Sequence, residues 1–254
     1  MTSVTYRNPE CTINEILESV NRYQTKLFVF FDDTITLSRS RATDLFTRIV
    51  WHKKKGLLPS DVRFYAITRA NTIYDMDFLL LMKEAGCDKI TFGIETGSDE
   101  MLKNVGKGTT KDDYRKAYQM LDEMGITKRG SFILGFPYET EETIWESINF
   151  ALELDLDEYG VNVLTPYPGQ LTVRQAFNGE GIWLRDKFHY EEFQDNSVAI
   201  DWHHYWSSYK RWGVSLVETE VLSGEALEYF HGVFLHEVDL DMIKNIRKIY
   251  ARIG

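Results

Sequence analysis

The sequence predicts a parallel α/β fold, and three observations predict it. Short apolar runs alternate with helix-period segments from residue 8 to residue 164, and alternation at that spacing means βαβ units whose strands lie parallel. Gly56, Gly86 and Gly125 each close a helical pattern, the position at which a left-handed residue stops a helix. Asp32, Asp33, Arg69, Glu95, Thr96, Glu139 and Thr165 lie at or just past the C-terminal ends of expected strands. In parallel α/β proteins that edge binds the ligand.

The first helix is expected over Asn8–Arg22, with Ile13, Ile16, Leu17 and Val20 on one face. Lys26–Phe31 (KLFVFF) is a continuous apolar run that reads as a buried strand and stops at Asp32-Asp33. Ser38–Lys55 reads as a helix through Leu45, Ile49 and Val50. Its closing lysines, Lys53, Lys54 and Lys55, complement the helix dipole and read as a solvated end in preference to a phosphate patch. A strand over Val62–Thr68 ends at Arg69, a helix over Asp75–Ala85 follows, and a strand over Lys89–Ile94 ends at Glu95-Thr96-Gly97. Helices over Ser98–Asn104 and Lys111–Met124 lead to a strand over Arg129–Leu134 and the turn Gly135-Phe136-Pro137. Thr140–Leu154 is the next helix, and Glu158–Leu164 is the fifth strand, ending in Thr165-Pro166-Tyr167-Pro168-Gly169. From Asn178 the rhythm stops. Residues 180–212 carry Trp183, Trp202, Trp206, Trp212 and the pair His203-His204, and helices are expected over Ser223–Val233, capped by Ser223, and over Asp239–Ile253. Periodicity does not separate an open sheet from a barrel.

A chain of 254 residues forms one large domain or two small ones at ~150 residues per domain. The net charge of −10 disfavours nonspecific nucleic-acid binding. No apolar run is long enough to span a membrane, and MTSVTYRNPE is no signal peptide. The two cysteines, Cys11 and Cys87, make neither a disulfide framework nor a metal-ligand spacing, so a reducing, cytoplasmic location is expected.

Two adjacent carboxylates after a buried strand suit an ammonium group or a metal, unless Asp33 or Ser38 merely caps the following helix. Glu95, in ITFGIETGS, suits ribose hydroxyls, against the alternative that this turn only begins a helix. GSFILGFPYET joins strand to helix through a glycine that tolerates close approach by a flat ligand. Adjacent histidines point apart, which disfavours a shared ion at His203-His204, and no metal site is expected. Catalytic residues are not legible. There is no P-loop, no Gly-x-Gly-x-x-Gly and no Ser-His-Asp order.

Taken in order, FFDDTIT from Phe30, AITRAN from Ala66, LLLMKEAGCDKITFGIETGSDEMLKNVGKGTT from Leu79, MGITKRGSFILGFPYETEETI from Met124 and LTPYPG from Leu164 resemble the radical S-adenosylmethionine (SAM) superfamily. The likeness is to its cobalamin-associated branch and the related methylthiotransferases, and covers residues 7–175. It implies a partial (β/α) barrel with about five strands present and the first strand missing, over residues 1–178, and a C-terminal helical cap packed on it, over residues 179–254. It implies SAM across the C-terminal strand ends. Asp32 and Asp33 stand where the family binds the methionine amino group, and Arg69 would face the SAM carboxylate or the substrate. Glu95 and Thr96 match the ribose-contacting strand end, Phe132, Ile133 and Gly135 the stretch lining adenine, and Thr165 and Tyr167 the border of the ligand. In the family a reduced 4Fe–4S cluster cleaves SAM to methionine and a 5′-deoxyadenosyl radical.

The cluster cysteines of the family, spaced CxxxCxxC, have no counterpart here, and Gln170 stands where threonine is usual. YRNPECTINEILESV looks like the segment just beyond the last cluster cysteine. The chain is therefore expected to be a fragment of a longer enzyme, inactive as it stands, with the 4Fe–4S cluster only in a longer form and cobalamin through an upstream domain. The alternative is a non-catalytic SAM- or nucleotide-binding module on the same barrel. An aldolase- or isomerase-like barrel is disfavoured, because no lysine ends a strand and no glycine-rich phosphate loop follows the last ones. Expected partners are SAM and a substrate that the sequence does not name, with neither membrane nor nucleic acid indicated. Self-association through the apolar edge at residues 26–31 is also expected.

Overall fold

The computed structural model describes residues 4–166, 171–185, 190–192, 198–200 and 215–253. Tyr167, Gln170, Trp202, Trp206, Trp212 and the pair His203-His204 lie outside the described residues. Five strands form one sheet in the order β1-β2-β3-β4-β5: Leu27–Phe30, Arg63–Thr68, Cys87–Glu95, Thr127–Leu134 and Glu158–Val163. The described pairings β1–β2 and β2–β3 are parallel. The five expected strands are all present. No described helix is long and apolar enough to cross a membrane.

The chain divides into two compact units. The first comprises Met1–Gly93 and Thr109–Gly130, the second Ile94–Gly108 and Ser131–Gly254. In the first unit, α1 (Pro9–Tyr23) and α2 (Arg39–Lys54) pack together, as do α2 and α3 (Met76–Ala85). Phe30, Phe46, Phe64 and Phe78 join these helices to the sheet, with Phe30 stacked on Phe64 at 5.5 Å and edge-on to Phe46 at 6.1 Å. The run KLFVFF is buried on one face only. Phe30 turns toward the helices, while Leu27, Val29 and Phe31 are 45%, 41% and 81% exposed. A strand with one covered face alternates whatever its side chains are, and hydropathy alone did not show this. Lys53 departs from the expected solvated helix end: its ammonium donates to the Val62 carbonyl (2.7 Å).

The second unit holds α4 (Asp99–Val105), α6 (Glu141–Glu153), α7 (Leu171–Asn178) and the antiparallel pair β6 (Ile182–Leu184) and β9 (Val217–Thr219). Helix α5 (Lys111–Met124), with its capping box Thr110/Asp113, belongs to the first unit. Strands β7 (Tyr190–Glu192) and β8 (Val198–Ile200) form a second antiparallel pair. The two closing helices expected from the sequence are one, α8 (Gly224–Ile253). Nothing between Phe234 and Asp239 breaks a helix. Asp239, which resembles a helix start, accepts the Tyr159 hydroxyl instead (2.8 Å). Ser223 does take the Ala226 amide (3.2 Å), as its sequence position implied. Helix α8 packs on α6 and β5, with Leu227, Phe230 and Phe234 buried.

Candidate functional site

In the first unit, Asp32 and Asp33 follow β1 after one intervening residue, Phe31, and both are exposed. Of the two capping candidates it is Ser38, not Asp33, that caps α2, its hydroxyl taking the Arg41 amide (3.5 Å). The segment between them is anchored to the end of β2. Ile35 donates its N–H to the Ile67 carbonyl (3.3 Å). The buried Thr36 hydroxyl meets those of Thr68 and Thr72, the latter at 2.5 Å, and Tyr74 donates to the Thr36 carbonyl (2.6 Å). These bonds fix the Asp32-Asp33 loop against the strand end that carries Arg69, an exposed residue leading into a 3₁₀ turn at Ala70–Thr72.

In the second unit, β3 ends in Glu95 at φ +69°, a left-handed conformation uncommon outside glycine. The half-buried Glu95 carboxylate meets the Lys107 ammonium, whose side chain is 14% exposed. Lys107 sits between Gly106 and Gly108, both at positive φ, just beyond α4. The sequence reading missed Lys107; its signal was a lysine held between two glycines after a seven-residue helix. Thr96 is fully buried. Its hydroxyl accepts the Ser98 amide (3.2 Å) and shares a bond with Ser147 of α6 (3.1 Å). Gly97 donates to the same Ser147 hydroxyl (2.8 Å), and a Cβ there would lie 2.7 Å from the Glu146 carbonyl and Ser147 Cα. Only glycine lets this turn lie against α6.

At the end of β4, Phe132 is buried against Phe234 of α8 (5.0 Å), while Ile133 faces the other way and is half-buried. Gly135 has φ +93°, and a Cβ there would come within 3.2 Å of Leu227 and 3.3 Å of Val217. The turn is held by Glu139, whose fully buried carboxylate accepts the Gly135 N–H through Oε2. Its Oε1 is buried with no hydrogen-bond partner among the described residues. Burial pushes this carboxyl up from 4.5 to about 8, against the opposing pull of the Gly135 and Phe136 amides. Thr165, after β5, is half-buried and donates to the Val163 carbonyl (3.3 Å).

Within each unit, then, the expected residues stand at strand C-terminal ends. The first unit brings Asp32, Asp33 and Arg69 to the ends of β1 and β2. The second brings Glu95, Thr96, Gly135 and Thr165 to the ends of β3, β4 and β5. Among the described residues no group of three or more His, Cys, Asp or Glu could hold a metal ion. Cys11 is exposed on α1. Cys87 is fully buried at the N-terminal end of β3, where desolvation pushes its thiol up to about 12.

The radical SAM superfamily profile matches residues 4–151. An uncharacterized methyltransferase of Pyrococcus horikoshii is 37% identical over 162 residues, covering 62% of this chain and 34% of that protein. The anaerobic magnesium-protoporphyrin IX monomethyl ester cyclase of Cereibacter sphaeroides is 27% identical over 163 residues, 64% of this chain and 26% of that protein. The chain thus spans about a third or less of the length of these relatives. Among solved structures, the radical SAM methyltransferase TsrM from Kitasatospora setae, with cobalamin and a 4Fe–4S cluster bound, matches with a TM-score of 0.61 at 20% identity. That match covers 74% of this chain and 37% of TsrM. The likeness places the parallel sheet in the partial-barrel class that the sequence resemblance implied.

Proposed function

The chain belongs to the radical SAM superfamily, and from that premise we propose that it is the SAM-binding barrel portion of a radical SAM enzyme, with relatives among methyltransferases. The observation that carries this reading is the Glu95–Lys107 pair, a carboxylate in left-handed backbone at a strand end, held by a partly dehydrated lysine. Strain of this kind costs ~1–3 kcal/mol and persists where surrounding structure imposes it. In the first unit, Asp32 and Asp33 take the ammonium group of SAM, and Arg69 faces its carboxylate or the substrate. In the second unit, Glu95 accepts ribose hydroxyls, and the buried hydroxyl of Thr96 orients that turn. Ile133 and the Gly135 turn line adenine, Thr165 borders the ligand, and Phe132 supports the turn from behind. Lys107 orients Glu95 and offers a cation to the ligand.

When bound in this family, SAM and a reduced cluster supply the radical. The donor set of this chain does not fit a 4Fe–4S cluster. Such a cluster needs thiolates, and of the two cysteines one is exposed on a helix and the other is sealed at the wrong end of its strand. Reductive SAM cleavage is accordingly assigned to a form that carries further cysteines, and cobalamin, which TsrM has bound, to an upstream domain. The same mismatch favours one second reading, a SAM-binding module without radical chemistry. A reducing, cytoplasmic setting suits both.

Calorimetric titration of the chain with SAM tests the shared part. Binding that E95Q and D33N each weaken supports the assignment; no binding at millimolar SAM overturns it. Iron reconstitution of the same chain then separates the readings, since a stoichiometric cluster on this polypeptide would refute the mismatch.

A further inference from the structure

We propose that Tyr138 is a positioning residue for the Gly135 turn, through which the residues after β5 set the shape of the SAM site. The proposal rests on the reading of that turn as part of the adenine lining. Tyr138 has φ +66°, a left-handed conformation that suits glycine, and its side chain is 51% exposed, so burial of the ring alone does not impose it. The constraint comes from the turn that joins α7 to β6. The Tyr138 N–H donates to the Gly181 carbonyl (3.1 Å). Its ring lies against the same residue, where a Cβ would come 2.5 to 2.7 Å from three ring atoms. Only glycine at position 181, itself at φ +73°, admits both contacts.

The next residue is tied to the same pair of strands. The Thr219 hydroxyl donates to the Glu139 carbonyl (3.0 Å), and Thr219 stands opposite Ile182 in the β6–β9 ladder. Thr219 is itself fixed, its N–H donating to the Leu222 carbonyl (2.9 Å) and its hydroxyl taking the Leu222 N–H (3.0 Å). Within the turn, the Glu139 N–H returns to the Phe136 carbonyl (3.0 Å) and the Glu139 carboxylate takes the Gly135 N–H. Val217 and Leu227 stand 3.3 and 3.2 Å from where a Cβ on Gly135 would lie. Residues 181, 217, 219 and 227 thus hold residues 135, 138 and 139 from outside. A change at Tyr138 reaches Gly135 through Glu139, without Tyr138 touching the ligand. The linkage is reciprocal: affinity that SAM gains from a fixed turn is returned as firmer docking of β6 and β9. A residue that merely filled a left-handed position would be bettered by glycine, and that contrast makes the role testable.

Y138G separates the two roles, because glycine adopts this φ without strain and lacks the ring. Two measurements on the full chain read it: amide hydrogen exchange by NMR without ligand, and calorimetric titration with SAM. In Y138G the Gly135 and Glu139 amides should exchange roughly ten-fold faster or more, with the urea midpoint unchanged or raised. The SAM dissociation constant should rise about five- to fifty-fold. Y138F, which keeps the ring, restores both readouts. T219V, which removes the second tie, moves both in the same direction and decides the matter should the glycine variant fail to fold. Unchanged exchange at Gly135 in these variants overturns the proposal. Faster exchange with undiminished SAM affinity overturns the role in the site. Absence of SAM binding by the wild-type chain overturns the assignment of the site itself, and the exchange rates still decide whether Tyr138 sets the turn.

Discussion

Replacing Glu139 with glutamine is expected to stabilise the protein at alkaline pH and leave it nearly unchanged at acid pH. The carboxyl is sealed from solvent, one oxygen takes the Gly135 amide, the other has no partner among the described residues, and its pKa stands at about 8 against an ordinary 4.5. Between those values the folded chain holds a proton that the unfolded chain has released. The unfolding free energy therefore falls as pH rises, by about 1.4 kcal/mol per pH unit at most, and on the order of 5 kcal/mol in all. The contribution is complete below pH 4.5 and gone above pH 8. Glutamine has the same shape and does not titrate, and its amide oxygen can accept the Gly135 N–H. Its NH₂ then faces the same partnerless space as the hydroxyl of the protonated acid, so both carry a similar cost, about 1–3 kcal/mol. Urea unfolding followed by circular dichroism at pH 5 and pH 8 reads the difference. E139Q should gain several kcal/mol relative to wild type between the two, on the order of 3–5. A difference that stays constant with pH, or a variant weaker than wild type at pH 8, would mean that Glu139 is held as a carboxylate by the turn amides, and would refute the reasoning.

Three further outcomes follow from the same geometry. The Glu95–Lys107 pair, with side chains 19% and 14% exposed, should show a coupling of roughly 1–3 kcal/mol in an E95Q/K107M double-mutant cycle; strictly additive unfolding energies would show that the two residues do not act as a pair. G97A places a methyl 2.7 Å from α6 backbone atoms and should cost about 1–3 kcal/mol. S147A strips the Gly97 amide of its acceptor and the buried Thr96 hydroxyl of a partner, at about 1–3 kcal/mol, and a G97A protein as stable as wild type would disprove the close approach. A thiol reagent should label Cys11 alone in the native state, since Cys87 is fully buried with its thiol pushed up to about 12; two equivalents of rapid labelling without urea would contradict that placement.

The sheet was legible in the sequence because its punctuation is chemical. Asn8, Ser38 and Thr140 cap the helices that follow them, Gly86 and Gly125 stop others in left-handed backbone, and the strands between them had little freedom to move. Periodicity failed where a boundary depends on tertiary partners. Asp239 looks like a helix start until Tyr159 claims its carboxylate, and α8 therefore runs on as one helix. The carboxylates of the candidate site were visible because acids after apolar strands are conspicuous. Lys107 was not, because its meaning comes from folding back twelve residues onto Glu95. The state of Glu139 was equally hidden. Its position after GFPY was plain, but whether such a residue is capped, charged or sealed depends on Thr219 and α8 closing over the turn.

The N-terminal and C-terminal strand ends are finished differently, in keeping with the proposed ligand-binding role of the C-terminal ends. At the N-terminal ends, charges are mostly spent on neighbours: Lys26 pairs with Asp61, Arg63 with Asp88, and Lys53 donates to the Val62 carbonyl, leaving one Asp88 oxygen without a hydrogen-bond partner among the described residues. At the C-terminal ends the chain instead carries costs. Asp32 and Asp33 stand exposed beyond an apolar strand, Glu95 is held in left-handed backbone, and Glu139 is buried with one carboxyl oxygen unpartnered among the described residues. Stability alone would favour replacing each of these residues, since an exposed acid contributes little, positive φ suits glycine, and a buried acid suits an amide. These strand ends accord with the proposed ligand-binding role, in which Asp32 and Asp33 stand exposed to a ligand.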